Sequence, residues 1–354
     1  MSISPKEQER SWLELLYEKL LKRSKNLLAF SAGSDSSALF FLLLEHDIPF
    51  DIAIVDYGTR AQSIKEIAHA KDLAQKYGKK IYISHAPSFP SNFEARARSF
   101  RYHFFETIIA KEGYDTLLTA HHLDDQFEWF LMQLSKGAGL GELVGLEPLL
   151  HKRGYKIIRP LLFHTKKEIL AYLANRQIPY FHDESNEDTS YFRNYIRHHY
   201  AKPFMEEFAL GLKRSFAYLL EDKKALLSQL SYRQIHDLYI AAKPSTPGQT
   251  MRVIDRICKK LGYLASASQK REILRQKEGV LAGSIAFGIT QDLIYIAPHS
   301  QERVPKKIKE RLRRAKIPAP LRPYIATAGI GVETIEQNRR LLQKNRLRSD
   351  RRSF

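Results

Sequence analysis

Between residues 26 and 137, apolar runs of strand length alternate with longer stretches of helical spacing, and this alternation constrains the fold more than any other feature of the chain. NLLAF leads into SALFFLLLEHD, then FDIAIVDYG, SIKEIAHAKDLAQKYG, KKIYISHA, FEARARSFRYHFFETIIAKEG, YDTLLTA and HLDDQFEWFLMQLSKG. Strand and helix patterns at this spacing predict an α/β unit with a parallel sheet and helices on both faces. Ligands of such sheets bind beyond the carboxyl ends of the strands. Residues 31–36, 56–60 and 121–125 are therefore expected along one edge, where three polar clusters would form a site.

The first cluster, SAGSDS (Ser31–Ser36), sits between two hydrophobic segments. As a turn, its Ser and Asp side chains would cap the helix that follows. As a phosphate cradle, it would present the free N–H groups and partial positive charge of that helix start to an anion. It fits neither GxxxxGK[ST] nor GxGxxG.

Charge bears on the partner. The formal net charge is +18, and residues 301–354 hold 16 Lys or Arg against 5 Asp or Glu, a net of +11. Such a tail is either a solvated, partly disordered end or the grip on a polyanion, of which nucleic acid is the commonest. The single cysteine, Cys258, rules out an intramolecular disulfide and cysteine-cluster chemistry. No apolar run has transmembrane length, and the mixed charges of MSISPKEQERSWLELL do not read as a secretory signal, so a cytoplasmic protein without membrane partners is expected.

After the alternating region the periodicity changes. Residues 165–240 read as largely helical, with Arg and aromatic residues intermixed. A small unit follows from about 245, with helices near 251–261 and 269–276 and the hairpin-like GVLAGSIAFGITQDLIYIAP. The expected domains are 1–200, a helical connection over 201–244, and a basic C-terminal α+β domain over 245–354.

Two further clusters carry rival readings. Asp125 and Glu128 are three apart, the spacing of a capping box, and also a spacing that lets two carboxylates share one ammonium on a helix face. His121 and His122 are turn residues or metal ligands. Without cysteine partners or an H-x-x-x-H spacing, zinc is disfavoured. In HDESNEDTSYFRNYIRHHY (182–200), Arg193 and Arg197 share a helix face, but a plain helix does not require Asn186, Asn194 and two arginines so close together.

SAGSDS also resembles the SGGxDS loop of the PP-loop enzymes, which cleave ATP between its α and β phosphates. AHHLDDQFE, IIRPLL (157–162) and DESN with RNYIR follow in order over roughly residues 24–200. Together the four closely resemble the signature series of the tRNA(Ile)-lysidine synthase family. Partial matches are VDYGTR (55–60) and EARARSFRY (94–102). Ala32, Tyr57 and Trp129 depart from the family's usual Gly, His and Thr, and alanine tolerates positive φ poorly.

The resemblance implies a Rossmann-like PP-loop domain, a helical region and a small C-terminal domain that grips tRNA. It implies ATP-driven adenylation of the C2 oxygen of the wobble cytidine in the CAU anticodon of tRNA(Ile). Free L-lysine then attacks and AMP leaves, switching decoding from AUG to AUA. Ser31, Ala32, Gly33, Ser34, Asp35 and Ser36 would form the ATP loop, with Asp35 helping to hold Mg2+ or to orient the loop. His122, Asp125, Glu128 and Asn194 match substrate-binding positions. Arg193, Asn194 and Arg197 match the motif that closes the site, and Asp35, Asp125, Glu128, Arg193 and Arg197 form the expected catalytic set. One of the two carboxylates, Glu128 or Asp125, could also act as general base, since only about 1 lysine in ~2,500 is neutral at pH 7, a penalty of roughly 4.6 kcal/mol. A thiolase of similar ATP chemistry would need paired cysteines, and an inactive RNA-binding scaffold would have no use for Asp35, Asp125, Glu128 and Arg193. The sequence does not fix the oligomeric state, for which a homodimer is the working expectation.

Overall fold

Leu27 and Leu28 are both fully buried although successive strand residues point to opposite faces, so their strand needs cover on both sides. In the computed structural model this strand lies inside a six-stranded sheet. The structure describes residues 13–350 apart from 59–61, 90, 92, 183–187 and 229–230. The N-terminal dozen residues, Arg60, and the DESN segment with Asn186 therefore lie outside the described residues.

The elements of the first part of the chain are α1 (Glu18–Leu21), β1 (Asn26–Ala29), α2 (Ser34–Glu45), β2 (Phe50–Asp56), α3 (Gln62–Lys76), β3 (Ile81–His85) and α4 (Phe93–Glu112). They continue with β4 (Thr116–Leu118), α5 (Leu123–Leu134), α6 (Leu140–Leu143), β5 (Leu149–His151), β6 (Lys156–Ile158), α7 (Lys166–Asn175), α8 (Phe192–Ile196) and, after a π-helical turn at Arg197–Ala201, α9 (Lys202–Ser228).

The strand order is β3-β2-β1-β4-β6-β5. All neighbours are parallel except the edge strand β5, which runs antiparallel to β6. Leu28, Ile52, Leu118 and Ile158 pack with α2, α3 and α7 on one face, and Leu27, Ala53, Leu117 and Ile157 with α4 on the other. This is the parallel α/β sheet that the alternation predicts, with the short strands β6 and β5 added at one end.

The chain divides into two units, residues 1–223 and 224–354. The second contains β7 (Tyr232–Ile235), β8 (Leu238–Ala242), α10 (Pro247–Lys260), α11 (Ala267–Gln276), β9 (Glu278–Leu281), β10 (Ile285–Ile289), β11 (Leu293–Pro298), α12 (Lys306–Arg314), α13 (Arg322–Thr327) and α14 (Val332–Asp350). Helical reading to residue 240 is corrected here: the helix ends at Ser228, and Tyr232–Ala242 forms a hairpin of the second sheet.

That sheet is antiparallel, ordered β7-β8-β11-β10-β9. Leu293, Tyr295 and Ala297 pack with α12–α14, while Ile294 and Ile296 pack with α10 and α11, as strand alternation requires. The close approach of the 3-10 turn Ala319–Leu321 depends on Gly288, where a Cβ would lie 2.3 Å from Pro318 Cβ. Residues 301–350 are thus not merely a solvated end, because Leu312, Leu321, Ile325, Ile335 and Leu342 are core.

Candidate active site

The Ser-rich loop joins β1 to α2 and is tied down by its own hydroxyls. Ser36 Oγ accepts the Ser31 N–H at 3.2 Å and donates to Gly33 O at 3.1 Å. Phe181 N–H donates to Ala32 O at 2.9 Å, pinning the loop from outside. Ala32 is fully buried with φ 58°, the left-handed geometry for which glycine is usual. Gly33, at φ −74° and ψ 167°, is ordinary extended backbone. A Cβ there would sit 3.5 Å from Ser31 Oγ and 3.9 Å from Phe181 O, which is normal contact. Neither dihedral nor packing demands glycine at 33. Its absent side chain leaves open the approach to the first-turn N–H groups of α2, which have no carbonyl one turn back to bond.

Asp35 and Ser34 face a cation. Lys166 Nζ lies 2.5 Å from Asp35 Oδ1 and 2.7 Å from Ser34 Oγ. Lys166 is held there by the start of α7: Thr165 and Glu168 form a capping box, and Lys166 N–H donates to Asp124 Oδ2 at 2.8 Å. Residue spacing assigns Lys166 no role, because its partners are more than a hundred residues away. The T-x-x-E signature that starts α7 is the one local signal that could have drawn attention to it.

His122 joins this loop to the carboxylate pair. Its Nε2 is 3.6 Å from Asp35 Oδ2 and 3.4 Å from Asp125 Oδ2, and its Nδ1 is 3.5 Å from Asp124 Oδ2. Burial disfavours its charge, yet Asp125 and Asp35 outweigh burial and hold the imidazolium well above the usual histidine range. Burial pushes the neighbouring His121 down to about 3, with Arg159, Arg193 and Arg98 adding to the effect against Asp125. His121 Nδ1 pairs with Thr119 Oγ1 at 2.9 Å. Adjacent histidines are thus held neutral and charged.

The capping-box reading of Asp125 and Glu128 is corrected by the helix start. His122 is the N-cap of α5, so Asp125 is the third helical residue, and its Oδ2 accepts the His122 N–H at 3.0 Å. Asp125 does cap, but with His122; Glu128 lies one turn further in and caps nothing.

Glu128 is buried, 2% exposed. Arg193 Nε donates to its Oε2 at 2.8 Å, and Arg197 donates through Nε to Oε1 at 2.6 Å and through Nη2 to Oε2 at 3.1 Å. Arg193 Nη2 also donates to Asp125 Oδ1 at 2.5 Å. Burial alone would raise the Asp125 carboxyl, but His122 and Arg193 outweigh it and hold it far below the usual range. Asn194, only 7% exposed, donates to Asp188 O at 2.8 Å and accepts Arg197 Nη1 at 3.4 Å. Arg197 is therefore braced by Asn194.

Arg159, in the IIRPLL stretch, is 3% exposed. Its Nη1 donates to Glu147 O at 2.6 Å while its Nε has no hydrogen-bond partner among the described residues. Together with Arg98 it adds positive charge beside His121. Trp129 donates its indole N–H to Glu142 O at 2.8 Å. Tyr57 reaches Ala97 O at 3.4 Å. Asp56 accepts the Gly58 N–H at 2.8 Å and pairs with His85 Nδ1 at 3.1 Å at the end of β2.

Asp35 and its neighbours suit Mg2+ only in part. Among the described residues, His, Cys, Asp and Glu side chains form no three-ligand group able to hold a metal ion. One carboxylate beside a phosphate cradle is nevertheless the donor set expected for Mg2+ that arrives on a nucleotide, since this ion keeps several waters and takes one or two carboxylates plus substrate phosphates. Among the described residues no helix is long and apolar enough to cross a membrane.

Residues 5–203 match a family model described as a PP-loop domain. The chain is 48% identical over 317 residues to a tRNA(Ile)-lysidine synthase of Campylobacter jejuni, covering 89% of this chain and 97% of that one. It is 43% identical over 321 residues to the tRNA(Ile)-lysidine synthase of Wolinella succinogenes, covering 90% and 98%. A Helicobacter pylori protein of the same description is 41% identical over 308 residues, covering 86% and 90%.

Proposed function

This chain belongs to the tRNA(Ile)-lysidine synthase family, and on that premise we propose how its residues divide the making of lysidine on tRNA(Ile) from ATP and lysine. In the first step the C2 oxygen of the wobble cytidine attacks the α-phosphorus of ATP and the α–β bridging bond breaks, releasing pyrophosphate. In the second the lysine ε-amine attacks C2, the C2–O bond breaks, and AMP leaves.

The Ser31–Ser36 loop and the start of α2 receive the pyrophosphate portion, with the Lys166 ammonium swinging from Asp35 onto phosphate oxygens. Mg2+, held by Asp35 and those oxygens, would supply charge neutralisation. Asp125 and Glu128 receive the lysine. Asp125 stays ionised, so it holds a cation and is a poor proton acceptor. Glu128 is the remaining candidate for general base.

Three guanidinium N–H groups engage Glu128, leaving about one of a carboxylate's four acceptor positions. The arginines therefore act as a latch: the nucleotide phosphate draws Arg193 and Arg197 off Glu128, which frees it to accept from the substrate amine. Lysine entry follows adenylation in this scheme.

The observation that carries this reading is the contact chain from the phosphate loop to the carboxylate pair, through His122 at 3.6 Å from Asp35 and 3.4 Å from Asp125. The test separates the half-reactions. Asp125→Asn and Glu128→Gln should still release pyrophosphate on tRNA(Ile), yet Glu128→Gln should incorporate lysine at least 100-fold more slowly, in the range of general-base effects of roughly 10²–10⁴, and Asp125→Asn should need a much higher lysine concentration. Adenylated tRNA should accumulate. Breaking the buried Glu128 pair can itself destabilise by about 3–5 kcal/mol, so a melting curve accompanies each variant. Equal loss of both half-reactions in a folded variant would refute the assignment.

A further inference from the structure

Residues 189–205 contain no Asp or Glu, three Lys or Arg, two His and five aromatic rings. The segment forms α8, the π-helical turn and the start of α9. It is two-faced. Arg193 and Arg197 turn inward to Asp125 and Glu128. Tyr191, Phe192, Tyr195 and Tyr200 turn outward, exposed by 49%, 46%, 41% and 51%.

Large rings so exposed need a reason, since burying them against the protein's own core would stabilise the fold. These rings also associate with one another. Tyr195 lies 4.5 Å from His199 and 5.9 Å from Tyr200, centroid to centroid. Phe204, 44% exposed, lies 5.3 Å from Phe127 on α5, the helix that carries Asp125 and Glu128.

We infer that the outer face of Tyr191–Tyr200 is a stacking platform for unpaired RNA bases next to the base being modified. The occupant follows from three features. The segment is wholly free of acid and interleaved with cations, which suits a polyanion and would repel few of its phosphates. Its rings are mostly tyrosine and histidine, which stack on base faces while tolerating water at their edges. It is continuous with the catalytic pair, because α8 and the π-helical turn after it carry Arg193 and Arg197 inward and Tyr195 and Tyr200 outward across a diameter of about 10 Å. A base that enters the site must leave its loop stack. Rings beside the entrance compensate the neighbouring bases for the partner they lose. This inference rests on the proposed function for its choice of RNA loop.

The test uses the full chain and a fluorescent hairpin carrying the tRNA(Ile) CAU anticodon loop, without ATP or lysine. Tyr195→Leu and Tyr200→Leu keep apolar bulk but remove the ring, while Tyr195→Phe and Tyr200→Phe keep it. Stacking on one ring corresponds to roughly 5- to 150-fold in affinity. The Leu variants should therefore weaken hairpin binding within that range, and the Phe variants should bind like the parent. The salt dependence should keep its slope, since no phosphate contact is removed. Parent-like binding by the Leu variants overturns the platform. So does self-association of the parent, seen by sedimentation without RNA, that the Leu variants abolish, for the rings would then be a subunit interface. If the parent binds the hairpin but, given ATP and lysine, transfers no lysine to tRNA(Ile), the functional reading fails while the platform stands.

Discussion

Ala32 shows how much strain the phosphate loop tolerates. A non-glycine residue at φ 58° costs roughly 1–2 kcal/mol relative to right-handed geometry. Ala32→Gly would relieve that cost but lose a fully buried methyl, worth about 0.8 kcal/mol, and add about 0.4–1 kcal/mol of unfolded-chain entropy. The terms nearly cancel, so Ala32→Gly should unfold within about 1 kcal/mol of the parent. Ala32→Val, branched at Cβ in a left-handed and filled position, should lose more than about 2 kcal/mol. Denaturant melts of both variants check this. A Gly variant less stable by more than about 2 kcal/mol would mean that the methyl's packing, not the backbone, governs the site. This also explains why alanine can stand where the family usually has glycine: the loop is held by Ser36 and Phe181 whichever of the two it carries.

At the scale of elements, the start of α5 decides the electrostatics. His122 has its pKa raised in the fold, so its contribution is fully present below the unfolded value of about 6.5 and is lost as pH rises through the folded value. His121 is the opposite case, depressed to about 3. Its neutral form favours the fold above about pH 6.5, and that favour is lost as pH falls toward the folded value. The stability gap between parent and His122→Asn should therefore shrink between pH 6 and pH 10, measured by melting temperature. A gap that is constant or grows with pH would contradict the ion pairs with Asp125 and Asp35.

The same elements show what the sequence could reveal. Strands β1, β2 and β4 were legible because strands buried in a parallel sheet read as apolar runs, and the edge strand β3 because its IYI is β-branched and aromatic. β5 and β6 were not, since three residues each carry no periodic signal. β7 was taken for helix because its half-exposed YRQI follows a 27-residue helix without a clear break. The ordered motifs singled out the loop residues, Asp125, Glu128, Arg193 and Arg197, and the last four meet in the fold. Lys166, Arg98 and Arg159 gained their place only from long-range packing, which local spacing does not encode.

At the scale of the whole molecule, the basic C-terminal unit is folded rather than appended. Six of the nine residues of α12 are Lys or Arg, while Leu312 and the helices after it complete the sheet's core. Deleting residues 301–354 would therefore unfold the second unit as well as remove charge, and cannot measure the charge alone. The central claim, that this chain makes lysidine with the residues assigned here, is tested most directly by incubating it with labelled lysine, ATP and tRNA(Ile) bearing CAU. One lysine should be joined per AMP released, in an alkali-stable bond at the anticodon, and none when the wobble cytidine is replaced by uridine. Label in an alkali-labile ester at the 3′ end, or lysine transfer that ignores the wobble base, would contradict it.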